Sequence, residues 1–155
     1  MEETNIHRVA EYFLALSTPG TSRSITPLKL QKLVYYAQAL SHPFNNRYLF
    51  KEDFEAWVHG PVSPELYYNY KKYRSKDIQD DVKKPNINPD DAKVIEAVWQ
   101  IYGEKDGKFL ENKTHNEKPW KETRSGLSYY ESSNKIIPKE KIKEYYSEKF
   151  KVAKN

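Results

Sequence analysis

A chain of 155 residues with a net charge of +4 and no cysteine predicts one domain without disulfide bonds or thiolate metal sites. Charged residues are abundant, but thirteen tyrosines supply the aromatic surface that disordered chains lack, so we expect residues 1–155 to fold as a single domain. No apolar run is long enough to cross a bilayer, and no basic segment precedes an apolar run at the N-terminus. These features predict a cytoplasmic protein that is not associated with a membrane.

The first two predicted helices differ in character. Residues 4–17 carry one apolar stripe at helical spacing. The second helix begins at Thr26 and Pro27, because threonine caps free amide groups and proline suits the first helical position. It ends near Pro43, and residues 44–47 are expected to form a turn.

The second helix is apolar on two opposite sides over residues 27–40. Only narrow polar strips remain between these faces, at Lys29, Gln31, Lys32 and Gln38. A helix that is apolar on two sides is normally enclosed by other elements. We therefore expect a mainly α fold, in which a central buried helix is surrounded by the other helices.

The segment after the central helix is the candidate for β structure. Residues 48–50 and 54–58 form two short apolar runs on either side of a polar link, as in a small β-hairpin. A sharp break at Gly60 and Pro61 follows, and then Ser63 and Pro64 begin a third helix. Residues 75–86 are charged and weakly patterned, which predicts a loop.

The C-terminal half predicts four further helical segments. Asn88 and Pro89 begin a helix whose buried face includes Ile101, and Gly103 ends it. A short helix follows over residues 106–113, and residues 114–117 resemble a capping box that begins another around Trp120. After a loop, the last helix runs from residue 138, and residues 151–155 are expected to fray.

No catalytic set can be identified in the sequence. The four histidines have no metal-type spacing, and the five glycines form neither a phosphate loop nor a dinucleotide fingerprint. The adjacent pairs of aspartates point apart on a helix, so they are interpreted as solvated or capping residues. We therefore expect a protein that is not an enzyme and needs no metal or cofactor.

Two motifs stand out against this background. One contains Trp57, His59, Gly60 and Pro61, and the other runs from Thr114 to Trp120. The structural interpretation, favoured here, is that the tryptophans anchor the core while Gly60 and the prolines shape the chain. The functional interpretation is that a rigid loop presents Trp57 or His59 to a partner.

Together with the sequence of the central helix over residues 28–37, these two motifs resemble the Panacea domain, the SocA-like family that also includes the phage-associated GepA-like proteins. The three blocks occur in family order, and the resemblance covers nearly the whole chain. It implies an antitoxin that neutralises a cognate protein toxin by direct binding. It also implies a second route of toxin neutralisation, since the best-known relative delivers its toxin to the ClpXP protease.

Two surfaces are candidates for partner binding. An antitoxin would use an exposed face built from Tyr67, Tyr68, Lys71 and Arg74 with the loop at His59, because tyrosine and arginine favour protein interfaces. The competing interpretation is that these tyrosines only complete the core. The alternative function is a nucleic-acid-binding or regulatory protein of a prophage or mobile element, which would use basic residues 71–76 and the basic C-terminal helix. Interleaved acids make nucleic acid the less favoured partner.

Overall fold

Seven α-helices and one β-hairpin organise residues 4–151, the part of the chain that this computed structural model describes. The elements in chain order are α1 (Ile6–Leu16), α2 (Pro27–Asn45), β1 (Glu55–Trp57), β2 (Gly60–Val62), α3 (Pro64–Tyr70), a 3-10 turn (Lys71–Tyr73), α4 (Pro89–Tyr102), α5 (Gly107–His115), α6 (Lys118–Thr123) and α7 (Lys139–Lys149). The mainly α fold predicted from the sequence is confirmed.

Helix α2 is the centre of the fold. Every residue from Lys29 to Ser41 is buried, and α1, α3, α4, α5, α7 and β2 all pack against this helix. The predicted start is also observed, since the Thr26 side chain accepts a hydrogen bond from the Lys29 amide at 3.3 Å. The predicted polar strips are not exposed, because the surrounding elements cover them together with the apolar faces.

The central helix is longer than the sequence predicted. It continues through Pro43 to Asn45 instead of ending at the proline. Pro43 removes a single helical hydrogen bond, to the carbonyl of Ala39, and its fixed φ suits the helix. The left-handed residue Asn46 then closes the helix, donating its amide to the His42 carbonyl at 2.9 Å.

A small hairpin is present, but the predicted pairing was wrong. Glu55–Trp57 pairs antiparallel with Gly60–Val62, while residues 48–50 form no strand. Gly60 makes the tight turn possible with a φ of +101°, a conformation that favours glycine. On its other side β1 bonds to the loop between α6 and α7, where the Ala56 amide donates to the Lys135 carbonyl at 2.8 Å.

The apolar segment 48–50 is nevertheless buried at Leu49 and Phe50. Its backbone is bound by one side chain of α2 instead of by a strand. The Gln38 oxygen accepts from the Leu49 amide at 2.8 Å, and its nitrogen donates to the Phe50 carbonyl at 2.7 Å. The primary amide therefore takes the place of a neighbouring strand.

Two smaller expectations in the C-terminal half were also wrong. Ile101 is exposed, because the face of α4 that carries it points away from α2. Thr114 and His115 belong to α5 and do not cap α6, whose N-cap Glu117 makes no side-chain capping bond. The Glu117 carboxylate instead accepts from Tyr36 at 2.6 Å and from Tyr146 at 2.7 Å, which joins α2 to α7. Fraying was predicted for residues 151–155, of which 152–155 lie outside the described residues.

Leu33 is fully buried on α2, so its truncation tests the central position of this helix. We expect Leu33→Ala to lower the free energy of unfolding by about 2–5 kcal/mol, because it leaves a cavity in the core. Ile101→Ala on the exposed face of α4 is the control and should change it by less than about 0.5 kcal/mol. Urea denaturation measures both, and equal effects would contradict this assignment of the core.

Candidate functional site

An apolar groove lies between the N-terminal half of α2, the hairpin and α3. Its volume is about 260 Å³. That is below the roughly 300–1,000 Å³ of typical small-molecule sites. The lining residues are Pro27, Leu28, Leu30, Gln31, Trp57, His59, Val62, Leu66, Tyr67, Tyr70 and Arg74. The groove therefore has room for one or two large apolar side chains of a partner.

The groove brings together three of the five residues proposed from the sequence for partner binding. His59, Tyr67 and Arg74 line it. Tyr68 and Lys71 do not line the groove but lie beside it, with the Tyr68 ring 5.7 Å from the Tyr67 ring and the Lys71 ammonium 4.9 Å from the Tyr68 ring. The five residues therefore occupy one continuous surface, and Tyr68 is 66% exposed on it.

The two motif tryptophans differ in position. Trp57 is half-buried and lines the groove with its ring 5.2 Å from that of Tyr67, so it is not the core anchor that the sequence suggested. Trp120 is buried and donates its indole N–H to the Trp57 carbonyl at 2.7 Å. Trp120 therefore fixes the backbone of the residue whose side chain faces the groove.

Two side chains contact the Trp120 ring. The His115 ring stacks on it with centroids 4.0 Å apart, and the Arg124 guanidinium lies 5.1 Å from the ring. Arg124 also donates to the Ala56 carbonyl at 2.9 Å and to the carbonyl of Glu131. This arrangement ties α5 and α6 and the loop that follows them to the β1 strand.

Two polar residues of α2 bind β2 and the residue that follows it, the α3 N-cap Ser63. Gln31 makes a reciprocal pair with the Ser63 backbone, accepting from its amide at 2.8 Å and donating to its carbonyl at 2.9 Å. The fully buried Lys32 donates to the Pro61 carbonyl at 3.1 Å. A Cβ on Gly60 would lie 2.8 Å from both Lys32 and Thr114, so only glycine fits this approach.

Three titratable residues behind the hairpin, Lys32, Glu111 and His59, differ in how deeply they are buried. Burial lowers the pKa of Lys32 to about 7, although the nearby Glu111 opposes the shift. Glu111 is buried, and its two oxygens lie 3.3 Å from His59 and 3.0 Å from Lys108. The His59 side chain is 71% exposed, so it links the buried carboxylate to the rim of the groove.

Arg74 is the strained residue of the groove. Its φ of 55° and ψ of −113° lie in a region that residues other than glycine rarely occupy. Such a conformation costs of the order of 1–3 kcal/mol and persists only where surrounding contacts impose it. Here the Arg74 amide donates to the Lys71 carbonyl at 3.0 Å and closes the 3-10 turn. The turn therefore fixes the point from which the guanidinium extends.

Sequence reasoning missed the roles of the residues that support this site. Lys32 was noted only as part of a polar strip, and Glu111 and Arg124 were not singled out, because a buried polar residue has no local sequence pattern that identifies its partner. The one available signal was the helix itself. A lysine and two glutamines on a helix apolar on two sides must find internal partners once both faces are covered.

Other kinds of site are not indicated within the described part of the chain. Across residues 4–151, no group of three or more His, Cys, Asp or Glu side chains could hold a metal ion. No helix of these residues is long and apolar enough to cross a membrane. The groove with its aromatic rim and exposed arginine is suited to contact with a protein surface.

A family model described as the antitoxin SocA-like, Panacea domain matches residues 30–121. The match spans more than half of the chain and includes both tryptophan motifs and most of α2. The chain belongs to this family, which is a family of antitoxin-like proteins. Neither the curated proteins nor the solved structures contain a match to the chain.

The buried Lys32 gives a prediction about stability and pH. Its pKa is about 7 in the folded protein and 10.5 when unfolded. Between these values the unfolded chain binds the additional proton, so this group makes stability rise with pH up to about 10.5 and fall towards pH 7. We expect this contribution to be about 1.4 kcal/mol per pH unit.

The variant Lys32→Met removes that titration and should reduce the slope of the profile between pH 7 and 9, to which Lys29, with its pKa lowered to about 8 by burial, still contributes. Urea denaturation of both proteins across this range measures the difference in slope. The variant also leaves the Pro61 carbonyl unpaired, which adds a pH-independent loss of about 1–3 kcal/mol. Parallel profiles for the two proteins would show that Lys32 keeps an ordinary pKa.

Proposed function

We propose that this chain is the antitoxin of a toxin–antitoxin system and neutralises its toxin by direct, stoichiometric binding through the apolar groove. Binding takes place in the cytoplasm and requires neither a cofactor nor catalytic turnover. The family supports the antitoxin role. The observation that carries the choice of surface is the groove itself, with Trp57, Tyr67 and Arg74 at its rim.

The exposed aromatic surface supports this proposal. Tyr67 and Tyr68 are 42% and 66% exposed. Burying their rings against a partner would remove apolar surface from water, which favours binding. Both rings are held in edge-to-face contacts, Tyr67 with Trp57 and Tyr68 with Tyr67. Rigid aromatic side chains of this kind lose little conformational entropy on binding, as is typical of interface anchors.

Binding at this surface is compatible with two routes of neutralisation. In the first, the antitoxin occupies the toxin for as long as the complex lasts. In the second, the same contact delivers the toxin to the ClpXP protease, and the antitoxin is reused. We propose the first route, and the amount of antitoxin needed for rescue distinguishes the two.

The test is co-expression with the toxin encoded in the adjacent reading frame, while the amount of this protein is titrated. We expect growth to recover only near equimolar amounts, and the double variant Tyr67→Ala/Arg74→Ala to lose rescue while remaining folded. The matched control is Tyr130→Ala/Lys135→Ala, which removes an exposed tyrosine and an exposed cation outside the groove and should rescue fully.

Rescue far below equimolar amounts would contradict the stoichiometric route and favour delivery to a protease. Full rescue by the folded groove variant would remove this groove from the proposal. Circular dichroism melting curves establish folding for both double variants.

A further inference from the structure

We propose that the groove binds a toxin segment in which a bulky apolar side chain lies close to an aspartate or glutamate. This inference rests on the proposed function and adds the chemistry of the partner. The apolar residue would enter between Leu30, Val62 and Leu66, and the carboxylate would pair with Arg74 at the rim.

The first step of the argument is the lining of the groove. Leu30, Val62 and Leu66 are buried core residues, yet they border an open space beside the half-buried Trp57. Its volume of about 260 Å³ suits a side chain such as leucine or phenylalanine. The partner therefore supplies an apolar residue at this point.

The second step concerns the cations. Segment 64–76 forms one wall of the groove and carries four cations and a single carboxylate, Glu65. Glu65 is already paired with His7 at 2.8 Å. Within residues 4–151 the Arg74 side chain has no hydrogen-bond or ion-pair partner, although it stands in a fixed, strained position. Arginine presents a planar fork that matches a carboxylate.

The third step is that the carboxylates nearby already accept hydrogen bonds or form ion pairs within the chain. Arg74 is therefore left to bind a carboxylate of the partner protein. The Glu55 carboxylate accepts from the Trp57 indole at 2.8 Å, and Asp77 accepts from the Gly20 amide at 2.9 Å. Asp80 accepts from the Tyr73 hydroxyl. Behind the hairpin, Glu111 is buried between His59 and Lys108. Among the described residues, the groove lining contains Arg74 and no carboxylate, which favours an acidic segment of the partner.

A protein segment is favoured over a nucleic acid by the shape of this surface. A single-stranded nucleic acid needs a row of cations along a groove that follows its backbone. Here Lys71 and Lys72 lie over the Tyr68 and Tyr73 rings, outside the groove, and Arg74 is the cation that lines it.

The probe is a display library of short random peptides, selected against the purified chain. We expect the enriched peptides to combine a large apolar residue with Asp or Glu within a few positions. Binding of a synthetic enriched peptide should weaken at least about tenfold in Arg74→Glu, because hydrogen bonds to charged groups are lost and the charge is reversed. It should also weaken in Tyr67→Ala.

Lys76→Glu is the matched control, because it makes the same change in net charge two residues away from Arg74 and does not alter the groove lining. Unchanged binding by this variant supports the inference. Equal losses in Arg74→Glu and Lys76→Glu, or enrichment of peptides without acidic residues, would overturn it. Salt-sensitive binding of a single-stranded oligonucleotide that requires Arg74 would also overturn it and favour a nucleic acid.

The two proposals fail in different ways. If the wild-type chain rescues at equimolar amounts and Arg74→Glu rescues equally well, the partner chemistry is wrong but the antitoxin function stands. If the chain does not rescue at any level, the proposed function fails, whatever peptides are selected.

Discussion

The fold depends on buried polar side chains of α2 that bind the backbone of the surrounding loops. Gln31 holds Ser63, Lys32 holds Pro61, Gln38 holds Leu49 and Phe50, and Lys29 donates to the Ser24 and Gly103 carbonyls at 2.7 Å and 2.6 Å. Each bond satisfies a buried backbone group that would otherwise be costly. The helix therefore determines the positions of segments that are not regular secondary structure. Burial has a cost, which is visible in the lowered pKa values of Lys29, to about 8, and Lys32.

This constraint also places the candidate binding surface. Lys32 of α2 binds β2, Gln31 of α2 binds the residue after it, and Trp120 and Arg124 bind β1. The backbone of the hairpin is thus held at several points, while the Trp57 side chain remains at the groove. Rigid presentation of an aromatic residue reduces the entropy lost when a partner binds. The contacts therefore run from the buried helix α2 through the hairpin to the exposed rim of the groove.

Much of the fold follows from local sequence signals, while the site depends on contacts between distant residues. The starts of α2, α3 and α4 were predictable because a cap and a proline are adjacent in sequence. The hairpin pairing was not, since segment 48–50 has the apolar pattern of a strand but is bound by Gln38. Residue type alone suggested Tyr67 and Arg74 for partner binding, which stays a prediction, and the structure places both side chains at the groove. The roles of Lys32, Glu111 and Arg124 were missed because their partners are far away in sequence.

Hydrogen exchange with and without the toxin tests the central claim most directly. The account holds that α2 fixes the hairpin and α3 as one surface and that the toxin binds there. Added toxin should therefore slow amide exchange in residues 55–62 and 64–74, while α7 on another side of α2 stays unchanged. Protection confined to α7, or to the loop at residues 125–134, would contradict the account.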